Sequence, residues 1–204
     1  MALEHQRNGH PAAFSRAWRR VFHLLAGSSV PTLAFFAPRA VVLPLLAGIA
    51  GALVLAEALR LRQPSLNGLA LRRLRLLLKP RESRPPTGST YLAASFCITY
   101  AAFSAPVAIL AMYYTSVGDP AASFVGERLG RTRIGRKTLE GAVGGIAAAL
   151  SIASIMVGVG LEIRPWIAIV GAVTAMLAEL MPLEDNLAMP LAAAGVMGLL
   201  NTFV

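Results

Sequence analysis

Seven apolar runs, cut apart by proline, glycine or charge, constrain this chain more than any other feature. They fall near 21–37, 40–59, 90–103, 105–117 with an extension toward 126, 139–160, 165–181 and 187–203. A hydrocarbon core about 30 Å thick is crossed by roughly 20 helical residues, so most of these runs have membrane length. Backbone groups in lipid must be satisfied within the structure, and the runs lack the alternation of a barrel strand, which leaves helices. The expected fold is therefore all-α: a polytopic bundle of about seven transmembrane segments, one integral membrane domain over 1–204. The run 90–103 is the weakest span, because as a helix it rises only about 21 Å. Composition agrees, with 56% hydrophobic and 14% charged residues and a mean hydropathy of +0.63. Soluble domains carry about 25% charged residues.

The net charge of +9 invites a nucleic-acid reading, but the position of the cations decides against it. Arg7, Arg16, Arg19 and Arg20 lie in or next to a polar N-terminal arm, 1–17. Arg60, Arg62, Arg72, Arg73, Arg75, Lys79, Arg81 and Arg84 lie in the loop 60–89, and Arg128, Arg131, Arg133, Arg136 and Lys137 in the loop 118–138. With a cytoplasmic N-terminus, only Arg39 and Arg164 of the 19 cations fall on the outer side, as the positive-inside rule asks. The basic excess thus reads as topology and contact with anionic membrane lipids, not nucleic acid. No cleavable signal peptide is expected, and Cys97, alone in an apolar run, excludes an intramolecular disulfide.

Within 60–89, Ser65 to Lys79 projects as an amphipathic helix with Leu66, Leu69, Leu74 and Leu77 to one side and Arg72, Arg75 and Lys79 to the other. Such a helix lies in the interface, as an anchor or as a frame for the mouth through which a lipid enters.

The same topology gathers carboxylates at the cytoplasmic face. Asp119 and Glu140 flank the third inner loop, Glu184, Asp185 and Asn186 occupy the turn MPLEDN, and Glu57 and Glu179 sit near inner helix ends. Ionisable groups in a membrane cost roughly 2.5–3.5 kcal/mol each, so these need partners: either the many arginines or a divalent cation.

Between them runs a glycine-rich segment with Gly118, Gly126, Gly130, Gly135, Gly141, Gly144 and Gly145. Glycines permit close backbone approach to a phosphate. Arg136 and Lys137 precede Thr138, a candidate N-cap whose helix start favours an anion. The competing reading makes the segment a flexible linker, since it is neither a Walker loop nor a kinase glycine loop.

The string GDPAASFVGERLGR…GRKTLEGAVGG closely resembles the GD-x-x-A-x-x-x-G-x-x-x-G…GKSxEGxxxG signature of CTP-using membrane enzymes. That family includes dolichol kinase, phytol and farnesol kinases and the CTP-dependent diacylglycerol kinase. WRRVFHLLAG resembles the family's first basic motif, Glu82 with TGSTYL its second, and LAELMPLEDNLAMPL its E…DN-x-x-x-P-L ending. The matches come in family order and cover nearly the whole chain after about residue 18. Arg20 stands where the family has lysine, and Arg136-Lys137-Thr138 where it has Gly-Lys-Ser.

The resemblance implies transfer of the γ-phosphate of CTP to the hydroxyl of a lipid alcohol, with Mg²⁺ or another divalent cation, at the cytoplasmic face of the cell membrane. The acceptor class is polyprenol or dolichol, phytol or diacylglycerol. Residue by residue, it makes Asp119 the metal-linked acid, Gly118, Gly126 and Gly130 loop glycines, and Lys137, Thr138, Glu140 and Gly141 the phosphate element with Arg136. Arg19, Arg20 and His23 form the basic motif, and Glu179, Asp185 and Asn186 the distal acidic group. Asp119, Glu140 and Asp185 are the candidate metal ligands. Asp185 is the first candidate for general base and Glu140 the second. Two other readings stand beside this one: a phosphatidate cytidylyltransferase-type CTP transferase, and a small-solute transporter with carboxylates along its path. Oligomeric state is not legible.

Overall fold

Proline and glycine punctuation sets the helix boundaries. In the computed structural model, which describes residues 9–73 and 86–203, most described residues are helical. Helix α1 spans Gly9–Phe36, and α2 spans Arg39–Arg62, starting after Pro38. The short α3, Pro64–Arg73, follows at once. Helix α4, Gly88–Ala102, starts at an N-cap, Thr87, whose side chain accepts a hydrogen bond from the Thr90 amide. Helix α5, Ala105–Tyr113, runs through a π-helical turn, Tyr114–Gly118, into α6, Asp119–Leu129. A two-stranded hairpin, β1 (Arg133–Ile134) and β2 (Lys137–Thr138), leads into α7, Leu139–Gly158. Helices α8, Pro165–Glu179, and α9, Asp185–Thr202, complete the chain.

Helix α5 is the axis of the bundle. Every side chain from Val107 to Ser116 is buried, because α1, α4, α7, α8 and α9 all pack against it or its π-helical turn. Small residues carry this packing: Ala108, Ala111, Ala149, Ala172, Ala175, Ala193 and Ala194 are all fully enclosed or nearly so. Small side chains let helix backbones approach closely where lipid supplies no hydrophobic drive between helices. Bulky side chains such as Leu25, Leu55, Val143 and Ile155 face outward.

Each of the seven apolar runs coincides with helix, and the fourth extends without interruption from Ala105 to Leu129. Helices α2 and α7 are long and apolar enough to cross a membrane; α8 is apolar but shorter. The amphipathic helix exists as far as Arg73, while Arg75, Lys79 and Glu82 lie outside the described residues.

The segment 118–138 is not loop throughout: Asp119–Leu129 is α-helix, continuing the fourth apolar run in the direction of its extension toward 126, and only the stretch after it is irregular or hairpin. Its glycines serve packing. A Cβ at Gly126 would lie 2.6 Å from Thr138 Oγ1, and one at Gly141 would lie 2.8 Å from the Ala122 carbonyl oxygen. The helices α6 and α7 meet closely because neither position carries a side chain.

Candidate functional site

The site begins with the hairpin. Gly135 has φ +58° and Arg136 follows it with negative φ, so a glycine takes the first central position of a two-residue turn, as in type II′ hairpins. This pairs Ile134 with Lys137 and Arg133 with Thr138. The Glu140 carboxylate closes the base of the hairpin, accepting bonds from the amides of Arg131 at 3.0 Å and Thr132 at 3.0 Å. Thr138 caps α7, its Oγ1 accepting from the Gly141 amide at 3.1 Å. Lys137 is thereby fixed between a rigid turn and a capped helix.

Its ammonium reaches three carboxylates from three different helices. Lys137 Nζ donates to Glu179 Oε1 at 2.7 Å, at the end of α8, and to Asp185 Oδ2 at 2.7 Å, at the start of α9. Asp119 Oδ1, at the start of α6, lies 3.8 Å away. Burial opposes the lysine's charge, but Asp119, Glu179 and Asp185 outweigh it and hold the ammonium above the ordinary lysine pKa. Lys137 is a fixed cation at any physiological pH.

The cluster forms part of the wall of a cavity of about 1210 Å³, into which Arg19, Arg20, Arg133 and Arg136 also face. Arg20 Nε donates to Ser123 Oγ at 3.1 Å, and its terminal nitrogen pairs with Glu127. His23 Nε2 lies 3.4 Å from the Thr115 carbonyl oxygen and 4.0 Å from Asp119 Oδ2. That carbonyl belongs to the π-helical turn, which also accepts the Asp119 amide, so the turn aims His23 and Asp119 together. Two acceptors in the wall remain unpaired: Glu179 Oε2 and Asn186 Oδ1 are both buried and without a hydrogen-bond partner. An unsatisfied buried polar atom costs about 1–3 kcal/mol, which makes these two a feature in need of explanation.

The structure thus brings together Asp119, Lys137, Thr138, Glu179, Asp185, Asn186, Arg19, Arg20, His23, Arg136, Gly126, Gly130 and Gly141 around one cavity. Two candidates stand apart. Gly118 does not line it; its Cα faces Met176. Glu140 is turned to the Arg131 and Thr132 amides, so it is not placed with Asp119 and Asp185 as a metal ligand or base. Its place beside Lys137 is taken by Glu179. Ser123 and Glu127 are site residues that the sequence reading passed over. They follow Asp119 at i+4 and i+8, one helical face, a pattern that emerges only when the helix continues to Leu129.

Among the described residues, no set of three or more His, Cys, Asp or Glu groups forms a ready metal cage. Magnesium uses one or two carboxylates together with substrate phosphates rather than an all-protein cage. The hard oxygen donors of Asp119 and Asp185, with the unpaired Glu179 Oε2, are chemically suited to that role.

No curated protein and no solved structure matches the chain significantly. A family model described as the cytidylyltransferase family matches residues 41–181. The matched stretch holds Asp119, Lys137, Thr138 and Glu179, while Arg19, Arg20 and His23 before it and Asp185 after it complete the same cavity. The chain belongs to the cytidylyltransferase family, and so to enzymes that use CTP in lipid chemistry.

Proposed function

We propose that the protein is a membrane lipid kinase that transfers the γ-phosphate of CTP to the hydroxyl of a lipid alcohol at the cytoplasmic face of the membrane. The observation that carries this reading is the convergence of Asp119, Glu179 and Asp185 on Lys137 inside an arginine-rimmed cavity. Phosphoryl transfer asks the protein mainly for charge neutralisation and in-line positioning. Lys137 meets the first demand, with Arg19, Arg20 and Arg136 along the polyphosphate. A divalent cation held by Asp119 would add Lewis-acid neutralisation of the phosphate oxygens.

In the reaction the lipid hydroxyl oxygen forms a bond to the γ-phosphorus, the bond from that phosphorus to the β,γ-bridging oxygen breaks, and CDP leaves. The hydroxyl proton passes to a carboxylate, for which Asp185 is placed at the cavity wall. Polyprenol, dolichol, phytol and diacylglycerol all satisfy the acceptor chemistry.

The family's description is equally compatible with a second reading, in which a phosphatidate oxygen attacks the α-phosphorus and pyrophosphate leaves. The test is purified protein with γ- or α-labelled CTP and a panel of these lipids. Label from the γ position in the lipid product supports the kinase; label from the α position replaces it with the cytidylyltransferase.

A further inference from the structure

Glu127 lines the same cavity as the arginines, and a carboxylate there repels the polyphosphate that the cavity is to receive. Its place is explained by what it holds. We propose that Glu127 and Ser123 of α6 are positioning residues, which grip one edge of the Arg20 guanidinium and so present its other edge to the phosphates of the nucleotide. The role rests on the cavity taking CTP, as proposed above, and is the same for a kinase and for a cytidylyltransferase.

Helices α1 and α6, with the π-helical turn before it, pass each other in opposite directions along this wall. A Cβ at Gly27 would come within 2.8 Å of Ser116 Oγ, His23 lies 4.0 Å from Asp119, and Arg20 reaches Ser123 and Glu127. The close approach at Gly27 sets the height of α1, and the side chains below it then meet α6 in register. Arg20 Nε donates to Ser123 Oγ at 3.1 Å, while Nη2 donates to the Ser123 carbonyl oxygen at 3.4 Å and to Glu127. These bonds use one side of the planar fork. Nη1 makes no hydrogen bond among the described residues, and Arg20 lines the cavity, so its Nη1 donors are left for a ligand. A guanidinium can serve two partners in this way and match a phosphate with its free edge; a lysine ammonium has no second edge. Arg19, Arg133 and Arg136 face the same cavity, and Arg133 and Arg136 are exposed on the hairpin. Among the described residues, Arg20 is the one of these four whose side chain is bonded to another helix. An arginine held in place before the ligand arrives avoids the ordering cost that a free one pays on binding.

Positioning and plain repulsion predict opposite signs for the loss of Glu127. Purified full-length protein in detergent is titrated with labelled CTP at fixed Mg²⁺, without lipid, and with inorganic tripolyphosphate as competitor. Glu127→Ala should weaken the binding of both by about tenfold, the scale of one charge-assisted hydrogen bond, and Ser123→Ala by about threefold, that of a neutral one. Glu127→Gln keeps an acceptor without the charge and should fall between wild type and Glu127→Ala. In an Arg20→Ala background, Glu127→Ala should weaken binding no further, because nothing remains to be positioned. Glu127→Ala binding as tightly as wild type or more tightly would overturn the role, as would an equal loss in the Arg20→Ala background, the mark of a merely structural residue. A loss confined to CTP, with tripolyphosphate unaffected, would remove Arg20 from the phosphates. Should Glu127→Ala not fold, Ser123→Ala and Glu127→Gln carry the same cycle with Arg20→Ala. No transfer enters this readout, so the labelled-CTP test decides the reaction class separately. Tripolyphosphate that binds with the stated Glu127 dependence while CTP does not would sink the nucleotide reading and leave the positioning standing.

Discussion

Among the described residues, a buried ionic cluster and a partly buried one are built from similar groups, and they are finished differently. In the first, Glu57 and Arg60 of α2, 8% and 7% exposed, form an ion pair. Arg60 also donates to Asn67 of α3 at 2.6 Å, and the second Glu57 oxygen accepts from Thr87 at 3.3 Å and Thr90 at 3.2 Å. Both carboxylate oxygens are used, and three consecutive elements are tied together. In the second, around Lys137, acids outnumber the ammonium, and Glu179 Oε2 and Asn186 Oδ1 stay unpaired. A closed network stabilises a fold, whereas a site that must receive a ligand keeps its valences open, at the expense of stability. Polarity in an apolar helix does not mark function by itself; unpaired acceptors beside a charged cavity are the stronger sign, since the buried Ser28 Oγ and Thr99 Oγ1 are also unpaired but lie away from it.

The sharpest way to break this contrast is to attack the closed cluster. Glu57→Leu leaves Arg60 without its buried counter-ion, and removing one partner of such a pair costs about 3–5 kcal/mol. The midpoint of thermal unfolding in detergent should fall accordingly, while the double variant Glu57→Leu/Arg60→Leu should regain most of the loss. A single variant as stable as wild type would show that the network holds nothing together.

The open cluster should respond in activity. Asp119→Asn keeps the shape of the side chain and removes its charge, and loss of a preorganised electrostatic group costs about 10²–10³-fold in rate. Lipid phosphorylation measured with γ-labelled CTP on purified protein should drop by that factor, with the unfolding midpoint unchanged. A near wild-type rate would remove Asp119 from the site.

Glu179→Gln sharpens the comparison further, because it separates the two properties in one residue. Relieving one of three crowded carboxylates should leave the unfolding midpoint equal to or above that of wild type. Transfer should fall by about 10–100-fold, the usual effect of losing a group that supports a metal-bound phosphate. A fall in stability like that of Glu57→Leu would mean that Glu179 belongs to the closed kind of cluster.

The helices were legible in the sequence for a physical reason: a continuous apolar run bounded by Pro38, Ser104-Ala105-Pro106 or Arg164-Pro165 has few conformations open to it. The acids were legible too, because Asp119, Glu179 and Asp185 interrupt those runs at a cost in lipid. What composition concealed was the conformation of 119–129. Glycine signals both turns and close helix packing, and Gly126 and Gly141 are of the second kind, so the segment read as a loop alongside a helical extension toward 126, and Ser123 and Glu127 were not singled out. Glu140 was misplaced for a related reason. Its spacing from Lys137 fits a shared site, but the turn at Gly135 brings the Arg131 and Thr132 amides back to it, a tertiary fact that residue spacing does not contain.

The two kinds of glycine supply the smallest and most local test. Gly48 and Gly51 lie in α2, the helix of the closed cluster, and a Cβ at either meets nothing within 4 Å. Alanine there should stabilise by roughly 0.5–1 kcal/mol, since glycine in a helix interior loses more backbone freedom on folding. Gly141 lies one turn from Lys137, and its Cβ would meet the Ala122 carbonyl oxygen and Thr138 Oγ1, both at 2.8 Å. A backbone carbonyl cannot swing aside, so α6 and α7 must part, and overpacking of this kind costs about 1–3 kcal/mol. Because the parting also shifts the Thr138 cap and the hairpin beside it, Gly141→Ala should raise the KM for CTP, while Gly51→Ala should leave it alone. Paired unfolding midpoints and initial rates read both effects; a Gly141→Ala protein with wild-type stability and KM would mean that close packing of α6 on α7 does not position Lys137.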